Sequence, residues 1–216
     1  MSVRLLVEPA RPQRRVTVAV RLVLAIPLLL IAGVLSTAAL AVIVIAWFAA
    51  LFTTRVPSGI AELLEQVLQY LARTYGYIGL LSGDYPPFDI DDGGEYAIEL
   101  EIDRPDTFAR VAVLFRALLQ LPALVVAQVA STGVFIVLLP LWVITLVLGR
   151  LPDPAHKALS SVLQYQLRTY AYIGLVTTEY PRGLFSGGAL PMTPRPRRWS
   201  APCSWSGSPA PASTPR

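Results

Sequence analysis

Few side chains in this sequence are of types that do chemistry, and their spacing decides what they can do. His156 is the only histidine and Cys203 the only cysteine, so neither a His/Cys metal cluster nor an internal disulfide can form. "DIDDGGE", Asp89–Glu95, resembles a calcium loop in composition. It fails the D-x-[DN]-x-[DN]-G spacing because Gly93 stands where a ligand is needed, so the stretch reads as a solvated acidic linker. His156 follows "LPDPA" and reads as a surface side chain, and Cys203 as a plain thiol in a tail. G-x-S-x-G elbows and phosphate-cradling glycine loops are absent. With no convergent acid, base, nucleophile or metal set, the expectation is a protein that is not an enzyme and carries no cofactor.

What remains is a phrase of arginine and tyrosine that occurs twice. "VLQYLARTYGYIGL", Val67–Leu80, returns as "VLQYQLRTYAYIGL", Val162–Leu175. Arginine and tyrosine can meet phosphate headgroups by charge and by interfacial ring placement. Arg73, Tyr75, Tyr77 and their counterparts Arg168, Tyr170 and Tyr172 are therefore the candidate lipid-headgroup contacts.

The repeat extends well beyond this phrase. Sliding the chain by 95 positions without a gap sets Arg15 on Arg110, Arg21 on Arg116, Pro27 on Pro122 and Ser36-Thr37 on Ser131-Thr132. Further on, Trp47 meets Trp142, Arg55 meets Arg150 and Tyr85-Pro86 meets Tyr180-Pro181. The chain is an internal duplication: a first unit over 1–96, a second over 97–185, and a tail over 186–216. The tail is rich in Pro, Gly, Ser and Arg and reads as disordered.

Apolar types make up 54% of the residues and charged types only 15%, with a mean hydropathy of +0.56. A soluble domain carries about a quarter charged residues, so the composition points to a lipid bilayer as the partner. The formal charge is +4, but the arginines flank apolar runs rather than forming one patch, which argues against nucleic acid.

Each unit opens with a short alternating, strand-like segment, Val3–Glu8 or Ile98–Asp103. A membrane run follows, 16–54 or 111–149, with no charge from Leu22 to Phe52 or from Ala117 to Gly149. Both runs exceed the roughly 18 apolar residues that signal a membrane helix. Lys and Arg placement sets orientation, and both copies carry the same arginines, so both should lie the same way up. That favours a helical hairpin in each unit, with arms Val16–Ala32 and Ala38–Thr54 turning at Gly33–Thr37, and Val111–Ala127 and Gly133–Gly149 in the second. The alternative is one long kinked span per unit, Pro27 and Pro140 supplying local bends. An amphipathic helix follows, 57–81 or 152–176, suited to the interface, with an acidic linker over 84–96 after the first. Leu71 on the first apolar face becomes Gln166 in the second, which requires a shallower helix or an amide buried against protein.

"RLVLAIPLLL", "VIAWFAALFTTRVPSG" and "LARTYGYIGLLSGDYPPF" together resemble the bacterial membrane-protein family of domain of unknown function 4389. Arg15–Phe88 carries all three passages. The second copy is diverged, with "QLP" for "AIP" and "EYPRGLF" lacking the second proline. The resemblance covers most of residues 15–185 and implies a tandem membrane protein with no assigned activity and no catalytic residues to carry over. The expected fold is all-α integral membrane, in the bacterial plasma (inner) membrane, multi-pass, with both termini cytoplasmic. The expected role is a non-enzymatic scaffold or membrane organiser, with an unidentified membrane or cytoplasmic protein or a second copy as partner. A transport or channel subunit is the alternative, but it needs ionisable residues within the spans.

Overall fold

The computed structural model describes residues 3–10, 12–87, 96–103, 110–181 and 190–191. Asp89–Glu95 and most of the tail lie outside them. The elements run β1 (Val3–Val7), α1 (Arg15–Thr53), α2 (Ser58–Ile78), β2 (Ile98–Ile102), α3 (Arg110–Leu148), α4 (Asp153–Ile173) and β3 (Leu190–Pro191). The described chain is mostly helical, and α1 and α3 are long and apolar enough to cross a membrane.

Each membrane run is one unbroken helix of 39 residues. The hairpin and its turn at Gly33–Thr37 are therefore corrected. A helix continues wherever its backbone bonds propagate, and nothing here stops it. Gly33 has no neighbour within van der Waals reach, and the Thr37 hydroxyl donates to Gly33 O (2.8 Å) inside the helix. Pro27, Pro122 and Pro140 are absorbed within the helices. Termination comes at Thr54 and Gly149, both in the left-handed region (φ 61° and 73°) and 95 positions apart. Each donates its amide to the carbonyl four residues back, Ala50 or Thr145.

Unbroken helices change how the two copies pair. The Trp47 indole donates to Val113 O (3.3 Å), and the Trp142 indole donates to Val18 O (2.7 Å). Trp47 and Trp142 are counterparts, as are Val18 and Val113, so one bond is the repeat image of the other. The C-terminal part of each helix meets the N-terminal part of its partner, and α1 and α3 are antiparallel. On α1 the covered positions Val18, Arg21, Ala25, Leu28, Ala32, Leu35, Ala39, Val42 and Ala46 recur at alternating steps of three and four, the seam of coiled-coil packing.

The same relation holds in the other layers. α2 and α4 are antiparallel too, with Leu64 against Gly174 at one end and Leu163 against Gly76 at the other. β1 and β2, the strand-like segments read from the sequence, pair antiparallel with Leu5 opposite Leu100, its own counterpart. All three pairs are thus related by one pseudo-two-fold axis perpendicular to the layers. It passes through Leu5/Leu100, between α2 and α4, and between α1 and α3 near Ala32 and Ala127.

The strands pack on α2 and α4, and α2 and α4 pack in turn on α1 and α3, giving three stacked layers. Val3, Leu5 and Val7 face inward, buried, while Arg4 points out, the alternation of a half-covered strand. β3 pairs parallel with the other edge of β1 at Leu6 and Val7. Two tail residues are therefore in a strand, where composition alone predicts disorder.

Gly76 shows how tightly the middle layer meets the sheet. A methyl group at this position would collide with Ile98 Cδ1. Its counterpart is Ala171, and the counterpart of Ile98 is Val3. Each helix packs on the strand of the other copy, so the contact with the extra methyl on the helix has one fewer on the strand. Gly76→Ala is expected to lose up to about 2 kcal/mol of stability net, overpacking against the tip of Ile98 outweighing the roughly 1 kcal/mol that alanine gains over glycine inside a helix. Adding Ile98→Val should restore most of it, read as a positive coupling in a double-mutant cycle of chemical denaturation in detergent.

Candidate functional site

The polar residues that organise the molecule meet where α2 and α4 end. Each of these helices closes with glycine at its C-cap (Gly79, Gly174) and a leucine beyond it in the left-handed region, Leu80 (φ 60°) and Leu175 (φ 57°). Leu81 N donates to Gly76 O and Val176 N to Ala171 O, the reversed bond of a Schellman ending. A left-handed leucine costs about 1–2 kcal/mol. Both are almost fully buried, at 1% and 2% exposure, and burying a leucine contributes about 1.5–3 kcal/mol, so packing outweighs strain.

This ending leaves carbonyls aimed at the long helix. The Arg21 guanidinium on α1 donates from Nη1 to Tyr77 O (2.7 Å) and from Nη2 to Ser82 O (2.7 Å) and Gln13 Oε1 (2.9 Å). Arg116 on α3 repeats the grip, donating to Tyr172 O (3.1 Å) and Thr177 O (2.9 Å). Each guanidinium also lies over a ring, 4.4 Å from the Tyr77 centroid and 4.2 Å from that of Tyr172. Tyr85 and Tyr180 of the Tyr-Pro turns close on those rings edge-to-face, at 5.5 and 5.6 Å. Gln13 pins the first clasp further by donating to Leu80 O (2.8 Å). Planar, forked donors and stacking on an aromatic face are properties of arginine that lysine lacks.

The structure therefore turns half of the predicted headgroup face inward. Arg73, Tyr77 and Tyr172 are buried, at 3%, 0% and 6% exposure, so for these three the reading as lipid contacts is corrected to packing against protein. Tyr75, Tyr170 and Arg168 are half-buried. Tyr75 and Tyr170 come together across the pseudo-axis: burial first, then the neighbouring Tyr170, pushes the Tyr75 phenol upward, and burial does the same for Tyr170. The Arg168 Nε donates to Val3 O (3.0 Å). Its counterpart Arg73 makes no such bond, because Gln69 takes the equivalent strand: its amide donates to Ile98 O (3.2 Å) and accepts from Leu100 N (2.8 Å). The helix thereby covers the free edge of β2, an edge that otherwise invites pairing.

Gln166 takes the second of the two courses open to it, its amide donating to the Ser131 hydroxyl on α3. His156 is half-buried rather than on the surface, and burial lowers its pKa. Among the described residues no group of three His, Cys, Asp or Glu could hold a metal ion.

The pair that organises the site, Arg21 and Arg116, reads from the sequence as arginines that snorkel to the headgroups. That reading is corrected, because both are buried against backbone carbonyls. The signal that could have found them is an arginine inside the repeat, one turn into an otherwise uncharged run, in both copies.

A duplicated long helix with a clasped return helix defines the class. The chain belongs to the family described as Domain of unknown function (DUF4389), whose model matches residues 15–89 and 110–184. No curated protein and no solved structure matches it.

Arg21→Lys is expected to lower stability by about 2 kcal/mol, since hydrogen bonds to a charged group are worth about 1.5–3 kcal/mol each. An ammonium's donors sit on one nitrogen and cannot reproduce the planar fork that reaches separate carbonyls while stacking on the ring. Denaturation of the detergent-solubilised protein measures it. A loss below about 0.5 kcal/mol, the scale of an ordinary surface substitution, would remove the clasp from its organising place.

Proposed function

We propose that this protein is a membrane-integrated, non-enzymatic organiser of the bacterial plasma membrane, with both termini on the cytoplasmic side. One observation carries the reading. Nearly all of the exposed large apolar side chains belong to α1 and α3, among them Val16, Leu22, Leu30, Val34, Phe52, Leu118, Val129, Phe135, Leu139 and Val147. A monomer in water exposes apolar patches of only a few hundred Å², and a continuous surface along two helices of about 58 Å each is far larger. Lipid is the solvent that suits it.

The non-enzymatic part rests on what the polar groups are committed to. Arg21 and Arg116 are engaged by backbone carbonyls and tyrosine rings, which leaves them unsuited to relaying ions or protons. The same observation weighs against a transport subunit. The outward side of the β1–β2 ribbon carries Arg4, Glu99 and Glu101. It is the face that a cytoplasmic protein or a second copy would meet, and a scaffold needs such a face.

Expressed in bacteria, the full chain is expected to stay in the membrane pellet through high salt and through alkaline carbonate, and to leave only with detergent. Release by salt or carbonate would show that the apolar surface is covered by protein instead of lipid.

A further inference from the structure

Three stacked layers around one pseudo-two-fold axis can meet a bilayer in two ways. If α1 and α3 span the membrane, the axis lies in its plane and every residue on the axis sits at mid-depth. If they lie flat, the axis is the membrane normal and the layers are stacked in order of depth. We infer that α1 and α3 lie flat within one leaflet, with α2 and α4 above them and the β ribbon facing the cytoplasm. This inference rests on the membrane reading just given and specifies its geometry.

The ribbon decides against spanning. Arg4, Glu99 and Glu101 are each one residue from Leu5 or Leu100 on the axis, about 3.4 Å along the strand. A spanning orientation would hold all three close to the bilayer centre, on the outer face of the outermost layer, where charge is most strongly disfavoured. Lying flat puts the same side chains in water, separated from the lipid by α2 and α4.

Length and charge agree. The run from Leu22 to Phe52 without a charged residue extends about 46 Å as helix, against a hydrocarbon core of about 30 Å. A helix is about 10–12 Å across, so a flat pair fits within one leaflet whatever its length. The arginines at the helix ends, Arg15, Arg55, Arg110 and Arg150, fall by antiparallel pairing into two groups. Arg15 lies beside Gly149 at one end of the layer, and Arg55 follows the opposite end of α1. Spanning would set positive charge on both sides of the membrane, Arg14, Arg15 and Arg150 at one end and Arg55 and Arg110 at the other, and leave only a small bias to choose an orientation. Lying flat brings all of them to the headgroups of one leaflet, where anionic lipid attracts them. It also meets the requirement that equal arginine patterns put both copies the same way up, which single antiparallel spans cannot.

Val16, Val34 and Phe52 supply the test. They stand 18 residues apart, five full turns, so they share one face of α1, and they are 75%, 71% and 72% exposed. In a Cys203→Ser background, the full chain with a nitroxide at Val16→Cys, Val34→Cys or Phe52→Cys is reconstituted into vesicles containing anionic lipid. Flotation first establishes that the protein is bound, and accessibility to oxygen and to a water-soluble nickel chelate then gives depth. The expected result is nearly the same oxygen-to-nickel ratio at all three positions. A ratio several-fold higher at Val34 than at both ends would overturn the flat orientation while leaving membrane integration standing. Failure to float would overturn both. In the same vesicles, Ser58→Cys and Asp153→Cys, at opposite ends of the layer, should react with an impermeant maleimide from the same side. Reaction from opposite sides would restore spanning.

Discussion

A guanidinium inside an uncharged stretch needs partners, and here it finds them in the end of another helix. The last carbonyls of α2 and α4 have no intrahelical donors, and the dipole of each helix makes that end negative. Arg21 and Arg116 supply the missing donors and the opposite charge together, so each buried cation is met by backbone carbonyls at a helix end. The return helix is held along the long one at a fixed register, and the tyrosine ring under each guanidinium fixes the angle. Everything above α1 and α3 is positioned from these two points.

Duplication then solves a problem that one unit cannot solve alone. A single long helix with its return helix would leave a seam of alanine and leucine uncovered on α1 and an unpaired strand at its start. The second copy, rotated about the pseudo-axis, covers the seam, donates an indole to a carbonyl near its partner's N-terminus and pairs strand with strand. A two-fold arrangement is the economical one because every contact made once is made again. The departures from it are local and compensated. Glycine against isoleucine at one helix–strand contact stands where alanine and valine do at the other, and Gln69 serves the β2 edge while Arg168 serves β1.

Much of this was legible in the sequence. The 95-residue repeat, the two apolar runs, the strand-like openings and the amphipathic helices all correspond to elements of the fold, because periodicity and length are properties of local chain. The site was legible only as a phrase. Arginine and tyrosine near an interface suggested phosphate, and the same residues turned out mostly to serve protein: Tyr77 and Tyr172 stack under guanidinium groups, and Arg73 is buried. An arginine's chemistry fits a lipid phosphate and a helix C-terminus equally well, and only the position of the next helix chooses between them.

The sequence by itself determined that there are two units, where each long apolar run and each amphipathic helix lies, and that the two runs are long and apolar enough to cross a membrane. Tertiary structure alone decided that each run is one helix and not a hairpin. A glycine and two hydroxyl residues permit a turn but do not require one, and the seam packed against the opposing helix rewards continuing straight. It also decided that the two copies oppose each other. Strand register and reciprocal indole bonds connect residues far apart in the chain, 66 and 124 positions for the two indoles, a relation between distant parts that no local pattern encodes.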